Sequence, residues 1–492
     1  MLADRVKLVA MLLALFPALV ASTATSQESP AALSGFDESE VRAIEDENPL
    51  TRTDPNLIRL LYRAAKTSDR NFRKHAAQNS KVTLPQIAES PRQHRLQVFR
   101  LRGRVQKFTP MVGSQKLAES GDGHPFCMLT IVDESGKQFL VAVPVKQTAG
   151  GVLKVNAPKN WLNKSELNQP VELNAYYLAN FDLAASQELV SKTTSTREAL
   201  RLESDVAPTF VTNRIRWFPD QTNESLGVHA DHVLLASQGV DLTALDIVAR
   251  NNNRQMRADE GEYFYQLIRA TKKITPDQLQ QSLGFEKLLQ SPGDSLGRSV
   301  SFEGRVRRAT RVQISDSYQA SIIGANHYFM LDLIVPLGDS KIVVNTKRVR
   351  EGDEENGPDG KTESPSITYD NRFPVTVCVG ELPCSEKDLE KQNVLINGFF
   401  FRLWNYPSEY VDQHIDDGGQ TSPLIIGLTP TIRQSQAEEG RSFLSQMVFG
   451  LAAAIMLLGI FAMWYLRHTD SASKARSKER EELPDEIGPI DV

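Results

Sequence analysis

The stretch Ile87–Thr109, IAESPRQHRLQVFRLRGRVQKFT, aligns without a gap on Leu288–Thr310, LLQSPGDSLGRSVSFEGRVRRAT. Pro91 and Pro292 each stand 12 residues before the glycine of a GRV triplet, Gly103 and Gly304, and every residue of the second block lies 201 positions after its counterpart. More matches follow in the same order. His124–Val132 (HPFCMLTIV) parallels His327–Val335 (HYFMLDLIV), and KQFLVAV from Lys137 parallels SKIVVNT from Ser340. Val171–Leu178 (VELNAYYL) parallels Val394–Phe401 (VLINGFFF), and PTFV from Pro208 parallels PLII from Pro423. The segments ahead of the blocks also correspond, LLYRAAK at Leu60–Lys66 with QLIRATK at Gln266–Lys272. A series of matches in constant order marks an internal duplication.

Each matched block alternates in polarity. Phe99, Leu101, Gly103 and Val105 share one face of a strand, as do Val300, Phe302, Gly304 and Val306; Val171, Leu173, Ala175 and Tyr177 match Val394, Ile396, Gly398 and Phe400. A period of two with one apolar face predicts antiparallel strands over a core. Glycine inside a strand, at Gly103 and Gly304, predicts a bulge or bend. About five short strands with a bent first one suit a small closed barrel, and each unit resembles the OB-fold, with a β-sandwich as the rival. The fold class is therefore mainly β with helical leaders (α+β): two tandem OB-like antiparallel barrels at 92–219 and 293–433. Leaders are expected at 54–91, where Asp54 caps a helix that has Pro55 in its first turn, and at 220–292, where Thr275-Pro276-Asp277 starts a further helix. A flexible linker fills 25–53. The polar insertion REGDEENGPDGKTESPS from Arg350 reads as a solvated loop.

The ends give an address. Residues 1–24 carry Arg5 and Lys7, an uncharged run from Leu8 to Val20, and small residues at Ala21–Ala24, the pattern of a secretory signal peptide. Residues 443–466, FLSQMVFGLAAAIMLLGIFAMWYL, hold no charge and are long enough to cross a bilayer. Trp464 and Tyr465 sit at the edge of this span, followed by Arg467, Lys474, Arg476, Lys478 and Arg480. The basic flank predicts a single-pass membrane protein with its bulk outside the cytoplasm, a juxtamembrane stretch at 434–442 and a disordered cytoplasmic tail at 467–492.

The 492 residues are 40% hydrophobic and 24% charged, with a formal net charge of −5, which rules out a wholly disordered, collagen-like or polytopic membrane chain. Three cysteines cannot build a disulfide scaffold. Cys127 reads as a buried strand residue. Cys378 and Cys384, in CVGELPC, are spaced to bridge in an oxidising compartment, with two independent thiols as the alternative. No nucleophile elbow, zinc helix or complete phosphate loop occurs, so no catalytic residue, metal site or cofactor is expected, and the chain reads as non-enzymatic. His229, Asp231 and His232 read as a solvated helix start.

The candidate ligand-facing residues are His124 and His327, which precede the same strand in each repeat, and the aromatics Trp217, Trp404 and Tyr406, rings that lie beside polar and cationic residues. Net negative charge and the expected compartment argue against nucleic acid. The expected function is an extracytoplasmic binding or assembly protein of the cell envelope, its partners being the membrane and envelope proteins or glycans. Alternatives are an envelope carbohydrate-binding module, favoured by Trp161, Trp217 and Trp404, and an enzyme whose site is assembled from both repeats. The sequence leaves the oligomeric state open.

Overall fold

The computed structural model describes residues 34–51, 54–111, 126–147, 153–155, 158–161, 164, 166–186, 200, 202–280, 282–345, 366–407, 419–433 and 447–467. The signal peptide, His124, the insertion from Arg350 to Pro365, the juxtamembrane stretch and the tail beyond Arg467 lie outside the described residues.

The first unit contains β1 (Asn48–Pro49), β2 (Val98–Met111), β3 (Phe126–Val132), β4 (Gln138–Gln147), β5 (Leu153–Val155), β6 (Gln169–Asp182), β7 (Val206–Val211) and β8 (Arg216–Trp217). Antiparallel pairs β2–β3, β3–β4, β2–β6 and β6–β7 are joined by the parallel pair β4–β7, which closes the ring β2-β3-β4-β7-β6. The second unit contains β9 (Ser299–Gln313), β10 (His327–Asn345), β11 (Ser366–Val379), β12 (Asn393–Pro407), β13 (Gly419–Gly427) and β14 (Thr431–Arg433). It closes identically as β9-β10-β11-β13-β12, again with its third and fifth strands parallel. A ring with no free seam is a barrel and excludes the β-sandwich; both units are OB-type barrels.

The duplication extends to single hydrogen bonds. Leu96 (φ 58) donates its N–H to the Tyr177 carbonyl at 2.8 Å and Gly297 (φ 67) donates to Phe400 at 2.8 Å. Gln97 and Arg298 then accept from the same two strand residues at 3.0 and 2.9 Å. In both units the first strand bulges three residues past the GRV glycine, at Gln106 and Arg307, and the fourth bulges at Leu178 and Phe401. The glycines are therefore not at the bulges themselves. Gly103 is required by close approach, because a Cβ there would stand 2.4 Å from the Val132 carbonyl oxygen.

The strands bury both faces. Inside the first barrel lie Phe99, Leu101, Val105, Leu129, Val141 and Phe210. Outside it, Val98, Met128, Leu140, Tyr176 and Phe181 form a second core with helices α1 (Glu38–Ala43), α2 (Pro55–Lys66) and α3 (Asp69–Gln78). Asp54 caps α2 as expected, accepting from Leu57 N at 2.8 Å, while Ser68 starts α3 as a separate helix. Residues 34–51, expected as part of a flexible linker, differ from that reading: Phe36, Ile44 and Leu50 are buried, and β1 adds to β6. Short helices α4 (Leu84–Glu89) and α5 (Pro91–His94) lead into the barrel.

Between the barrels run α6 (Ala230–Ser237), α7 (Leu245–Arg250), α8 (Gly261–Thr271), α9 (Phe285–Gln290) and α10 (Pro292–Ser295). The expected helix after Thr275 is only a three-residue 3-10 turn. Helix α8 lies on β11 and β13 as α2 lies on β4 and β7, so both leaders cover the third and fifth strands of their barrel. The second barrel is completed by α11 (Ser317–Ile323) and α12 (Glu386–Leu389). Salt bridges tie α8 to the first unit: Arg73 reaches Glu262 at 2.6 Å and Arg214 reaches it at 3.5 Å, while within the first unit Arg216 reaches Asp69 at 2.9 Å and Glu172 at 3.3 Å. Burial pushes the Asp69 carboxyl up, but Arg216, Arg73 and Arg214 together hold it below its ordinary value.

The HADH segment is a correction to the sequence reading, since Asp231 and His232 are buried rather than solvated. Asp231 pairs with Arg298 at 3.0 Å and accepts from Ser299 N at 3.1 Å, which fixes α6 to the start of β9. His232 stands with Nε2 2.9 Å from the Leu296 carbonyl and with Nδ1 3.2 Å from the Gly227 carbonyl and 3.3 Å from His229 N. Burial, which disfavours the imidazolium, lowers its pKa. The unfolded chain therefore takes up the imidazolium proton first, and the stability it carries is complete above an ordinary histidine value of about 6.5 and is lost as pH falls below that. Thermal unfolding followed from pH 8 to 5 should show a decline that His232→Asn flattens.

Helix α13 (Met447–Arg467) is the single helix among the described residues long and apolar enough to cross a membrane, and its side chains are exposed along its whole length. At about 1.5 Å per residue it matches a hydrocarbon core of about 30 Å, as a single-pass anchor requires.

Candidate functional site: an aromatic pocket on the second barrel

The bulge at Phe401 resets the side-chain phase of β12 and thereby makes a site. Before it, Phe400 pairs with Ile425; after it, Arg402 pairs with Leu424 and Trp404 with Ser422. The extra residue turns Arg402 and Trp404 to the outer side of the barrel, beside Leu424. On the neighbouring strands Met330 and Cys378 form a pair with side chains on that same surface. Phe264 and Tyr265 from α8, Gln319 from α11, Tyr328, and the segment Met256–Ala258 rise around them to enclose about 320 Å³. Phe264 and Tyr328 meet edge to face at 5.3 Å, and Phe264 packs on Phe401 at 5.7 Å, so the aromatic wall is locked from behind. Burial pushes the Cys378 thiol up, leaving a neutral, apolar sulfur instead of a nucleophile.

The segment 251–260 would not stand there unaided. Arg402, completely buried, donates through Nη1 to the carbonyls of Asn251 and Arg254 at 2.8 Å each and to Leu403 at 2.9 Å. Its other nitrogens meet the Glu260 carboxylate at 2.8 and 3.2 Å, and Glu260 is equally buried. Burial raises the Glu260 pKa, and the Arg402 guanidinium opposes that rise. Asn252 Oδ1 accepts from Leu403 N at 2.9 Å and Thr421 donates to Asn253 Oδ1 at 2.7 Å, which extends the clasp along the strand. One guanidinium thus satisfies several turn carbonyls and holds the pocket's wall.

Of the residues singled out in the sequence, Trp404 and Cys378 line this pocket, the second as a thiol and not as half of a bridge. Trp217 is buried, against the expectation of a ligand-facing ring. Its Nε1 donates to Gln169 Oε1 at 3.1 Å, and it meets Trp161 edge to face at 5.5 Å to plug the end of the first barrel. His327 sits at the start of β10, with Nε2 3.3 Å from Arg311, Nδ1 2.8 Å from Asn326 Oδ1 and its ring on Phe329. Tyr406 pairs through its backbone with Gln420, and its side chain lies outside the described residues. Cys378 and Cys384 stand as free thiols rather than as a bridge: the first faces α8 from within β11, and the second lies past the turn that follows. Among the described residues no three His, Cys, Asp or Glu side chains are grouped to hold a metal. Met256, Tyr328, Met330 and Arg402 escaped the sequence reading; the displaced alternation after Phe400 was the available signal.

The fold and pocket define a class: a two-barrel OB-type protein with a ligand-sized apolar recess on one barrel. No family model matches the chain, and no curated protein matches it. Among solved structures, a deletion mutant of the single-stranded DNA binding protein from Thermus aquaticus is similar at 9% identity over 69% of this chain and 94% of that one, with a TM-score of 0.13. A likeness of that size carries no argument about this chain's function.

Proposed function

We propose that the protein is a non-enzymatic, single-pass membrane protein that holds two OB-type barrels outside the cytoplasm and docks an apolar side chain of an envelope protein in the Trp404 pocket. The observation that carries this reading is the lining itself: Phe264, Tyr265, Tyr328, Met330 and Trp404 surround a recess whose polar side chains are few, Arg257 and Gln319 among them. Aromatic and thioether walls accept side chains of varied shape, whereas a sugar needs several placed hydrogen-bond partners in addition to a stacking ring. Helix α13 supplies the anchor and the basic residues after it the orientation.

Capture of the tagged full-length chain from its native membranes, beside a Trp404→Ala variant, tests this. A protein recovered with the wild type and reduced about thirtyfold with the variant is the expected result, since an anchor in a pocket is worth about 2 kcal/mol or more. Equal recovery, or a glycan in place of the protein, contradicts it.

A further inference from the structure

The GRV glycine floors a groove in each barrel, and the two grooves differ in charge. In the first, Gly103 lies among Arg100, Arg102, Arg104 and Arg216, and acids meet them. Glu172 takes Arg100 at 2.7 Å, Arg102 at 3.0 Å and Arg216 at 3.3 Å, while Asp220 takes Arg104 at 2.6 Å. In the second, Gly304 lies among Arg305, Arg307, Arg372, Lys391 and Arg433 in a groove of about 1050 Å³, with Glu303 as its one acid among the described residues. The position of Glu172, paired with Arg102 across β2 and β6, is held by Leu395, paired with Glu303 across β9 and β12.

One arginine keeps the same structural task in both grooves. Arg104 donates to the carbonyl of Asn168 at 2.8 Å and Arg305 to that of Lys391 at 3.1 Å, each acceptor having positive φ just before the fourth strand. The rest is new to the second barrel. Arg307 is the bulged residue, where the first barrel has Gln106, and it is exposed. Among the described residues neither Arg307 nor Arg372 makes an ion pair, and Arg433 approaches Glu303 only at 3.7 Å. A groove that retains its cations and has lost the acids that neutralised them is built for an anion from outside.

The chain itself limits how far the groove lies from the span. Arg433 ends β14, and the span begins at Met447. The 13 residues between them reach at most about 50 Å when extended, so the groove from which the chain leaves the barrel can stand no farther than that from the start of the span. Among the described residues no aromatic side chain lines the groove, so they offer no stacking platform of the kind single-stranded nucleic acid uses.

We propose that this groove seats the phosphates of anionic lipid headgroups in the leaflet facing the second barrel. Arg307 and Arg372 grip phosphate oxygens and Lys391 adds a point charge, which holds the barrel down on the membrane. The inference rests on α13 being the membrane anchor.

Full-length protein in nanodiscs of phosphatidylcholine, with and without phosphatidylglycerol, tests it by amine-reactive labelling of Lys391, with Lys81 on the first unit as reference. Anionic lipid should slow Lys391 labelling about fivefold, the effect of roughly one surface cation's attraction, and leave Lys81 unchanged. Arg307→Ala with Arg372→Ala should abolish the protection while the protein still elutes with the disc. Equal Lys391 labelling in both discs overturns the headgroup site alone. Equal protection by inorganic phosphate in phosphatidylcholine discs replaces it with a soluble-phosphate site. Failure to elute with the disc overturns the anchor and, with it, this proposal.

Discussion

Replacing Arg402 with methionine is expected to destabilise the second barrel by about 3–5 kcal/mol, the usual effect of removing one partner of a buried ion pair. Glu260 would remain fully buried without its cation, and the carbonyls of Asn251 and Arg254 would lose their donor. Because those carbonyls belong to the segment that carries Met256 and Ala258, the pocket should open before the barrel melts. Limited proteolysis should cut between 251 and 260 at temperatures where β12 and β13 still resist. The double variant Arg402→Met, Glu260→Leu should recover much of the thermal stability, since an apolar pair replaces a buried charge pair at little cost. It should not restore protection of the segment, because the carbonyls stay without donors. A single variant with unchanged melting and cleavage would show that the clasp does not hold the wall.

The paired glycines give the second large effect, and it should be asymmetric. A Cβ at Gly103 would lie 2.4 Å from the Val132 carbonyl oxygen and 2.7 Å from Ile131 Cγ2, and both residues are held by pairing with Arg104 and Val105. Neither can retreat without breaking the β2–β3 ladder, so Gly103→Ala should cost about 1–3 kcal/mol or more, as overpacking does. At Gly304 the nearest atoms stand at 3.4 Å, ordinary contact. Gly304→Ala should be tolerated, with a gain of about 0.4–1 kcal/mol from the reduced freedom of the unfolded chain. Chemical denaturation of the two variants checks the difference. Equal losses would mean that the glycines serve one shared backbone purpose rather than a close approach peculiar to the first barrel.

The barrels were legible because duplication repeats its own evidence. The alternation through Phe99–Val105 and Val171–Tyr177 identified the inward faces, and the apolar run near the C-terminus foretold α13 to within a few residues. What the pattern hid was the second side of each strand. Residues such as Met128, Leu140 and Tyr176 are buried under helices, so rings beside polar residues, Trp217 above all, looked solvated when they were core. The linker was misjudged for the same reason, since Phe36 and Leu50 find their apolar partners only once the barrel exists. Ion pairs such as Glu260 with Arg402 join residues 142 apart, and no local spacing announces them. The pocket needed a bulge, a leader helix and a clasped segment to coincide, and of its lining only Trp404 and Cys378 stood out in the chain.

Contact at the pocket is the most direct test of the whole account. A photo-reactive amino acid placed at Met256, on the pocket's exposed rim, should give one discrete protein adduct on irradiation of native membranes. That adduct should vanish when Trp404 is alanine, and the same probe at Lys81 should not form it. Adducts of equal yield from both positions, or an adduct at Met256 indifferent to Trp404, would contradict the pocket as the place where this protein binds.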